Sequence, residues 1–118
     1  MPGRDLNVTI QPPSPGVGDP RPVVLVSGEV DIQTSPMLEE HLRAVLDQGH
    51  RALAVDLSDV SFLDSTGLSV LVAALQRCRS AGGGLRLISP QPNVRRVLDI
   101  TGLAATFGVE GDGSGGTD

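Results

Sequence analysis

Two short runs of apolar residues, Val23 to Val26 and Ala52 to Leu57, are separated by a stretch in which Leu38, Leu42, Val45 and Leu46 return every three or four positions. A segment that is apolar almost throughout has no polar face to offer water, so it reads as a strand buried on both sides. The pattern then repeats. Leu68, Leu71, Val72 and Leu75 form a second helical stripe, and Leu85, Leu87 and Ile88 form a further strand. Strand–helix–strand repeats demand parallel pairing with right-handed crossovers. Upstream, Leu6, Val8 and Ile10 alternate with Asn7, Thr9 and Gln11, the signature of a half-buried strand. The segment from Pro12 to Pro22 holds five prolines and two glycines and reads as a long hairpin connection.

The element ends carry their own signals. Ser35-Pro36 opens the first helix, with Ser as N-cap and Pro in the first turn, and Gly49 closes it. Ser58 to Asp64 reads as a short polar connection interrupted by Val60, Phe62 and Leu63, with Phe62 placed in the core. Gly82-Gly83-Gly84 ends the second helix after Arg77 and Arg79. A third helix is predicted from about Asn93 to Thr101, with Val94, Val97 and Leu98 on one face and Gly102 as its cap, followed by a last short strand over Thr106 to Val109. The expected fold class is α/β: a single domain with a mixed β-sheet, an N-terminal hairpin and helices packed on the sheet. It spans residues 1–110, and residues 111–118 form a disordered Gly-rich tail. A chain of 118 residues suits one such domain. Phe62 and Phe107 are its only aromatic residues, so Leu, Val, Ile and Ala must build the core.

Composition closes several functional classes. The net charge is -5, and nucleic acid demands a basic face. All nine basic residues are arginine, which removes a Schiff-base or P-loop lysine. Cys78 is the single cysteine, so no internal disulfide can form, and its place near the second helical stripe reads as core. His41 and His50 without a neighbouring cysteine make a poor metal site. No apolar run reaches the ~18 residues of a membrane span, and the N-terminus lacks a secretory pattern, so a cytoplasmic protein is expected. No catalytic, cofactor or metal residues are assigned. A nucleophile elbow would need a G-x-S-x-G frame around Ser65, which is missing.

The densest stretch is Asp56-Leu57-Ser58-Asp59-Val60-Ser61-Phe62-Leu63-Asp64-Ser65-Thr66-Gly67-Leu68. It lies between a strand end and a helix start, where open α/β sheets place their ligands. This run resembles the phosphorylation segment of anti-sigma factor antagonists, which belong to the STAS family (sulphate transporter and anti-sigma factor antagonist domains). Gly28-Glu29-Val30-Asp31 resembles the family's G-E-[LV]-D element, and Asn93 to Leu98 with Thr101-Gly102-Leu103 resembles its last conserved helix and exit. The resemblance covers roughly residues 6–110. It implies a regulator that binds an anti-sigma factor, usually a GHKL-type serine kinase, and thereby frees a sigma factor. The kinase then phosphorylates the domain and the complex separates; a serine phosphatase would restore it. Carried over by position, Ser65 is the phosphoacceptor. Asp31, Asp64, Ser65, Thr66 and Gly67 are the expected partner-binding residues. The same fold also serves as a non-enzymatic scaffold subunit in stress-sensing or lipid-transport complexes. Family members usually end with another helix, whereas a Gly-rich segment stands here, which leaves the oligomeric state open.

The chemistry of the segment supports a switch on its own terms. Ser65 is expected as the N-cap of the second helix, with its hydroxyl at a surface turn. Phosphorylation adds about -1.5 to -2 charge. The helix N–H groups would tolerate that anion, but Asp64, with Asp31, Asp56 and Asp59 expected nearby, would make it costly to bury against a partner.

Overall fold

The computed structural model describes residues 6–13 and 21–110; the Gly-rich tail and most of the Pro-rich connection lie outside the described residues. Five strands form one sheet in the order β1-β2-β3-β4-β5. Strand β1 (Leu6–Gln11) runs antiparallel to β2 (Val23–Val30). Strands β2, β3 (Ala52–Leu63), β4 (Gly84–Ile88) and β5 (Val109–Glu110) are parallel. Helix α1 (Ser35–Asp47) links β2 to β3, and α2 (Ser65–Ser80) links β3 to β4. Helices α3 (Pro92–Thr101) and α4 (Leu103–Phe107) lie between β4 and β5. The mixed α/β architecture with its N-terminal hairpin is the one the sequence predicts.

Register explains the core. Val24 pairs with Val55, Val55 with Leu87, and Leu53 with Leu85, so these side chains share one face of the sheet. Leu38, Leu42, Val45 and Leu46 of α1 and Leu68, Leu71, Leu75 and Cys78 of α2 close over that face, joined by Val94, Leu98 and Phe107. Val72, placed on the stripe by spacing, is only half-buried, and Ala74 takes the core position. The other face of β1 presents Asn7, Thr9 and Gln11 to solvent.

Three features differ from the sequence expectation. Strand β3 does not end at Leu57 but continues through Leu63. It carries two extra residues against β2, because the pairing steps from Leu25–Asp56 to Ser27–Asp59 and from Gly28–Val60 to Glu29–Phe62. These bulges place Leu57, Val60 and Leu63 in the core at intervals of three. Beyond the end of β4 pairing, side chains satisfy β3: Gln91 Nε2 donates to the Ser58 carbonyl at 2.9 Å, and Asn93 Nδ2 to the Ser61 carbonyl at 2.8 Å. Second, Phe62 is 43 % exposed rather than core, since the second bulge turns it outward. Third, Thr106 and Phe107 belong to a short helix, and the last strand is Val109–Glu110. Gly102, in the left-handed conformation at φ 77°, separates α3 from α4 as expected of a C-cap.

Candidate functional site

Strands β2 and β3 end side by side, with Val30 opposite Leu63, and the Asp64 N–H donates to the Val30 carbonyl at 3.2 Å. Each strand is followed at once by an aspartate. Asp64 has extended backbone and is the N-cap of α2; its Oδ1 accepts from the N–H groups of Thr66 (2.9 Å) and Gly67 (3.2 Å), and from the Thr66 hydroxyl. Ser65 is therefore the first helical residue, not the cap the sequence suggested. Asp64, with one carboxylate, satisfies two of the N–H groups that every helix start leaves without intrahelical partners.

This arrangement fixes what Ser65 can do. Its side chain is exposed, and its hydroxyl has no hydrogen-bond partner among the described residues. Its carbonyl accepts from Ser69 Oγ at 2.9 Å. Thr66, by contrast, is half-buried and its hydroxyl is committed to Asp64. Gly67 is buried: a Cβ there would lie 2.6 Å from both Leu63 Cδ1 and Val30 Cγ1. A larger residue fits only if those side chains shift, because α2 starts directly on the two strand ends. Gly67 thus belongs to the site through packing.

Asp31 holds the neighbouring turn. It is 7 % exposed, and its Oδ1 accepts from the N–H groups of Gln33 (2.9 Å) and Thr34 (3.1 Å). The Thr34 hydroxyl accepts from the Asp31 N–H at 2.9 Å and donates to the Glu29 carbonyl at 2.7 Å. Thr34, not Ser35, is the N-cap of α1, and its side chain braces the turn rather than capping the helix. Asp31 is therefore an internal anchor of the surface and not an exposed charge on it. Asp56 is mid-strand, opposite Leu25 and Ile88, where it accepts from Ser58. Eight residues before Asp64, it lies roughly 20–25 Å from the strand end at ~3.3 Å per residue, and Asp59 is roughly 15 Å away on the same scale. Neither lies beside Ser65; Asp64 does.

Sequence reasoning did not foresee that three large apolar side chains near these turns are exposed. Ile32, on the Asp31 turn, is 72 % exposed, Met37 in the first turn of α1 is 42 % exposed, and Phe62 completes the set. The clue in the sequence was the break in strand periodicity at Phe62.

The chain matches the STAS domain model over residues 13–112. It is 37% identical over 93 residues to the anti-sigma-B factor antagonist of Bacillus subtilis, spanning 79% of this chain and 84% of the relative. The chain belongs to the STAS domain family. Among solved STAS structures, an anti-sigma factor antagonist from Mycobacterium paratuberculosis superposes with a TM-score of 0.76 at 34% identity, covering 90% of this chain and 86% of the other. The fold alone is shared with the Bacillus cell fate determinant SpoIIAA in its phosphorylated form, at 18% identity and a TM-score of 0.64, covering 92% and 94% of the two chains. In this STAS domain no described helix is long and apolar enough to cross a membrane. The described residues also hold no group of His, Cys, Asp and Glu that could bind a metal ion.

Proposed function

We propose that this STAS domain is an anti-sigma factor antagonist of the cytoplasm, a binding protein and not an enzyme, that captures an anti-sigma factor with serine kinase activity and is released when that kinase phosphorylates Ser65. The observation that carries this reading is the exposed Ser65 hydroxyl on the first residue of α2, directly after the Asp64 cap, with exposed Ile32 and Phe62 each two residues from the paired strand-end positions Val30 and Asp64. The names of the relatives point the same way.

The geometry supplies a mechanism for release. Ile32, Met37 and Phe62 give a partner apolar area to bury, and the Asp31 and Asp64 carboxylates brace the two turns beside Ser65. A phosphoryl group on Ser65 leaves the fold unchanged, since Ser65 supports no internal contact through its hydroxyl. The N–H groups of Thr66 and Gly67 are already taken by Asp64, so they do not neutralise the new charge. About -1.5 to -2 charges then stand next to a carboxylate in the middle of the docking surface. Burying them unpaired is unfavourable, and each 1.4 kcal/mol weakens binding about tenfold. The phosphate acts by charge at the interface, without a change of shape.

The test is a binding experiment with a candidate GHKL-type anti-sigma kinase, run without nucleotide and then with Mg-ATP. A stable complex that dissociates as the domain gains one phosphoryl group is expected. Absence of a complex, or a complex that persists after full phosphorylation, contradicts the reading.

A further inference from the structure

The two edges of the sheet are built differently. At one edge, β5 is only two residues long and ends on Glu110. A short strand carrying a charge offers little backbone to another chain. At the other edge, β1 runs for six residues, pairs with β2 without a register shift, and holds neither proline nor a charged side chain. The absence of charge extends from Leu6 to Gly18. Along an edge strand every second residue turns its N–H and C=O away from the sheet. Among the described residues no strand meets these groups on the outer side of β1.

The side chains of β1 match that backbone. Leu6, Val8 and Ile10 lie on the helix-covered face, opposite Gly28, Val26 and Val24. Val24 and Val26 are buried, yet Val8 and Ile10 are only half-buried, so the core reaches the rim of the sheet and stops there without a polar border. Asn7, Thr9 and Gln11 line the opposite face, exposed and uncharged. Helix α1 packs over β1 and β2. Its side towards α2 carries Glu39, Arg43 and Leu46; on the far side the helical period places His41, Ala44 and Gln48, with no carboxylate among them.

We propose that the outer edge of β1 pairs with the same edge of a second copy of this chain, antiparallel about a twofold axis at Thr9. A twofold axis makes the two strands antiparallel and the contact self-complementary. Centred on Thr9, the register sets Val8 against Ile10 of the second copy on the core face. On the solvent face it sets Thr9 against Thr9 and Asn7 against Gln11. Apolar side chains meet apolar ones, and a Thr–Thr pair across strands is favourable. No charge faces a like charge, although the chain as a whole carries -5. Pro12, which lacks an N–H, ends the ladder opposite Leu6. A foreign extended peptide would satisfy the same backbone groups, but β1 holds no charge to select one, whereas a second copy is matched at each position. This edge shares no residue with the Ser65 site, so its failure leaves the proposed kinase switch untouched.

The test follows the full chain by analytical sedimentation over about 1–500 μM, the range of a small, transient interface. A mass rising towards twice that of one chain is expected, with alternate amides of β1 gaining protection from hydrogen exchange as concentration rises and those of Ser65 to Leu68 unchanged. Thr9→Glu puts two carboxylates on the axis and should weaken the dimer at least tenfold with an unchanged melt. Thr9→Cys should link two copies by a disulfide on mild oxidation, whereas Asn7→Cys, displaced from its mate by roughly 13 Å at ~3.3 Å per residue, should not. If Thr9→Glu melts early, the two cysteine variants decide. A single mass across the whole range, wild-type dimerisation of folded Thr9→Glu, or Asn7→Cys linking as readily as Thr9→Cys would overturn the proposal.

Discussion

Asp31 and Asp64 occupy equivalent places: each follows one of two paired parallel strands, Val30 beside Leu63, and each Oδ1 accepts the backbone N–H groups two and three residues further on. Two consecutive crossovers thus leave the sheet through the same turn chemistry, side by side. The result is a rigid surface from two unrelated stretches of chain, with Ser65 and Ile32 each one residue past its anchoring aspartate.

The two aspartates should differ in cost when removed. Asp64 is half-exposed and acts as a helix cap, so Asp64→Ala is expected to lose about 1 kcal/mol. Asp31 is buried, and Asp31→Ala leaves the buried Thr34 N–H without its partner, with the Gln33 N–H in a partly buried place beside it, a loss of about 1–3 kcal/mol. Denaturant melts of both variants check the order. Equal stabilities would show that the Asp31 turn re-forms around water.

Gly67→Ala should be destabilising by about 1–3 kcal/mol, because the added methyl meets Leu63 and Val30 at 2.6 Å and both belong to the core. The same change in an open helix would stabilise by up to about 1 kcal/mol. A melting curve therefore reads the sign directly, and a stabilised variant would mean that α2 can lift off the strand ends.

Ser65→Asp separates stability from affinity. A carboxylate on the first residue of a helix is favoured by the dipole, by about 0.3–1 kcal/mol, while Asp64 beside it opposes that gain. The melt should stay within about 0.5 kcal/mol of wild type. Affinity for the anti-sigma kinase should nevertheless drop tenfold or more. Wild-type affinity in this variant, measured by titration calorimetry, would remove charge as the release mechanism.

Cys78 is fully buried, and burial pushes its thiol pKa up, partly offset by Arg77 and Arg21. The folded state holds the proton more tightly than the unfolded state. Stability is then fully present below the unfolded thiol pKa of about 8.5 and declines as pH rises above it. Cys78→Ala should flatten that alkaline decline, and the native thiol should resist alkylation at pH 8. Rapid alkylation without unfolding would place Cys78 at the surface.

Much of the fold was legible because its signals were local and redundant. The stripes of α1 and α2, the alternation in β1 and the Gly102 exit each follow one period or one turn rule. The second half of β3 was not legible. Its two bulges turn a period of two into a period of three, and Leu57, Val60 and Leu63 cannot be told from a polar loop with scattered apolar residues. The same bulge hid the outward turn of Phe62. At the site, the segment around Ser65 was evident, but which residue caps α2 was not. Asp and Ser are equally good N-caps, and only the direction of the chain leaving Leu63 gives the place to Asp64. Burial of Asp31 was equally invisible, since an aspartate between a strand and a helix looks the same whether it faces a partner or its own turn.

The most direct measurement is peptide mapping after the domain has been incubated with its anti-sigma kinase and Mg-ATP. Ser65 is exposed with an uncommitted hydroxyl, whereas Thr66 donates to Asp64 and is half-buried. The account predicts one phosphoryl group per chain, on Ser65, and none on the Ser65→Ala variant, which should melt like wild type and stay bound to the kinase. Phosphate on Thr66, or a Ser65→Ala variant that is phosphorylated and released at the wild-type rate, would contradict it.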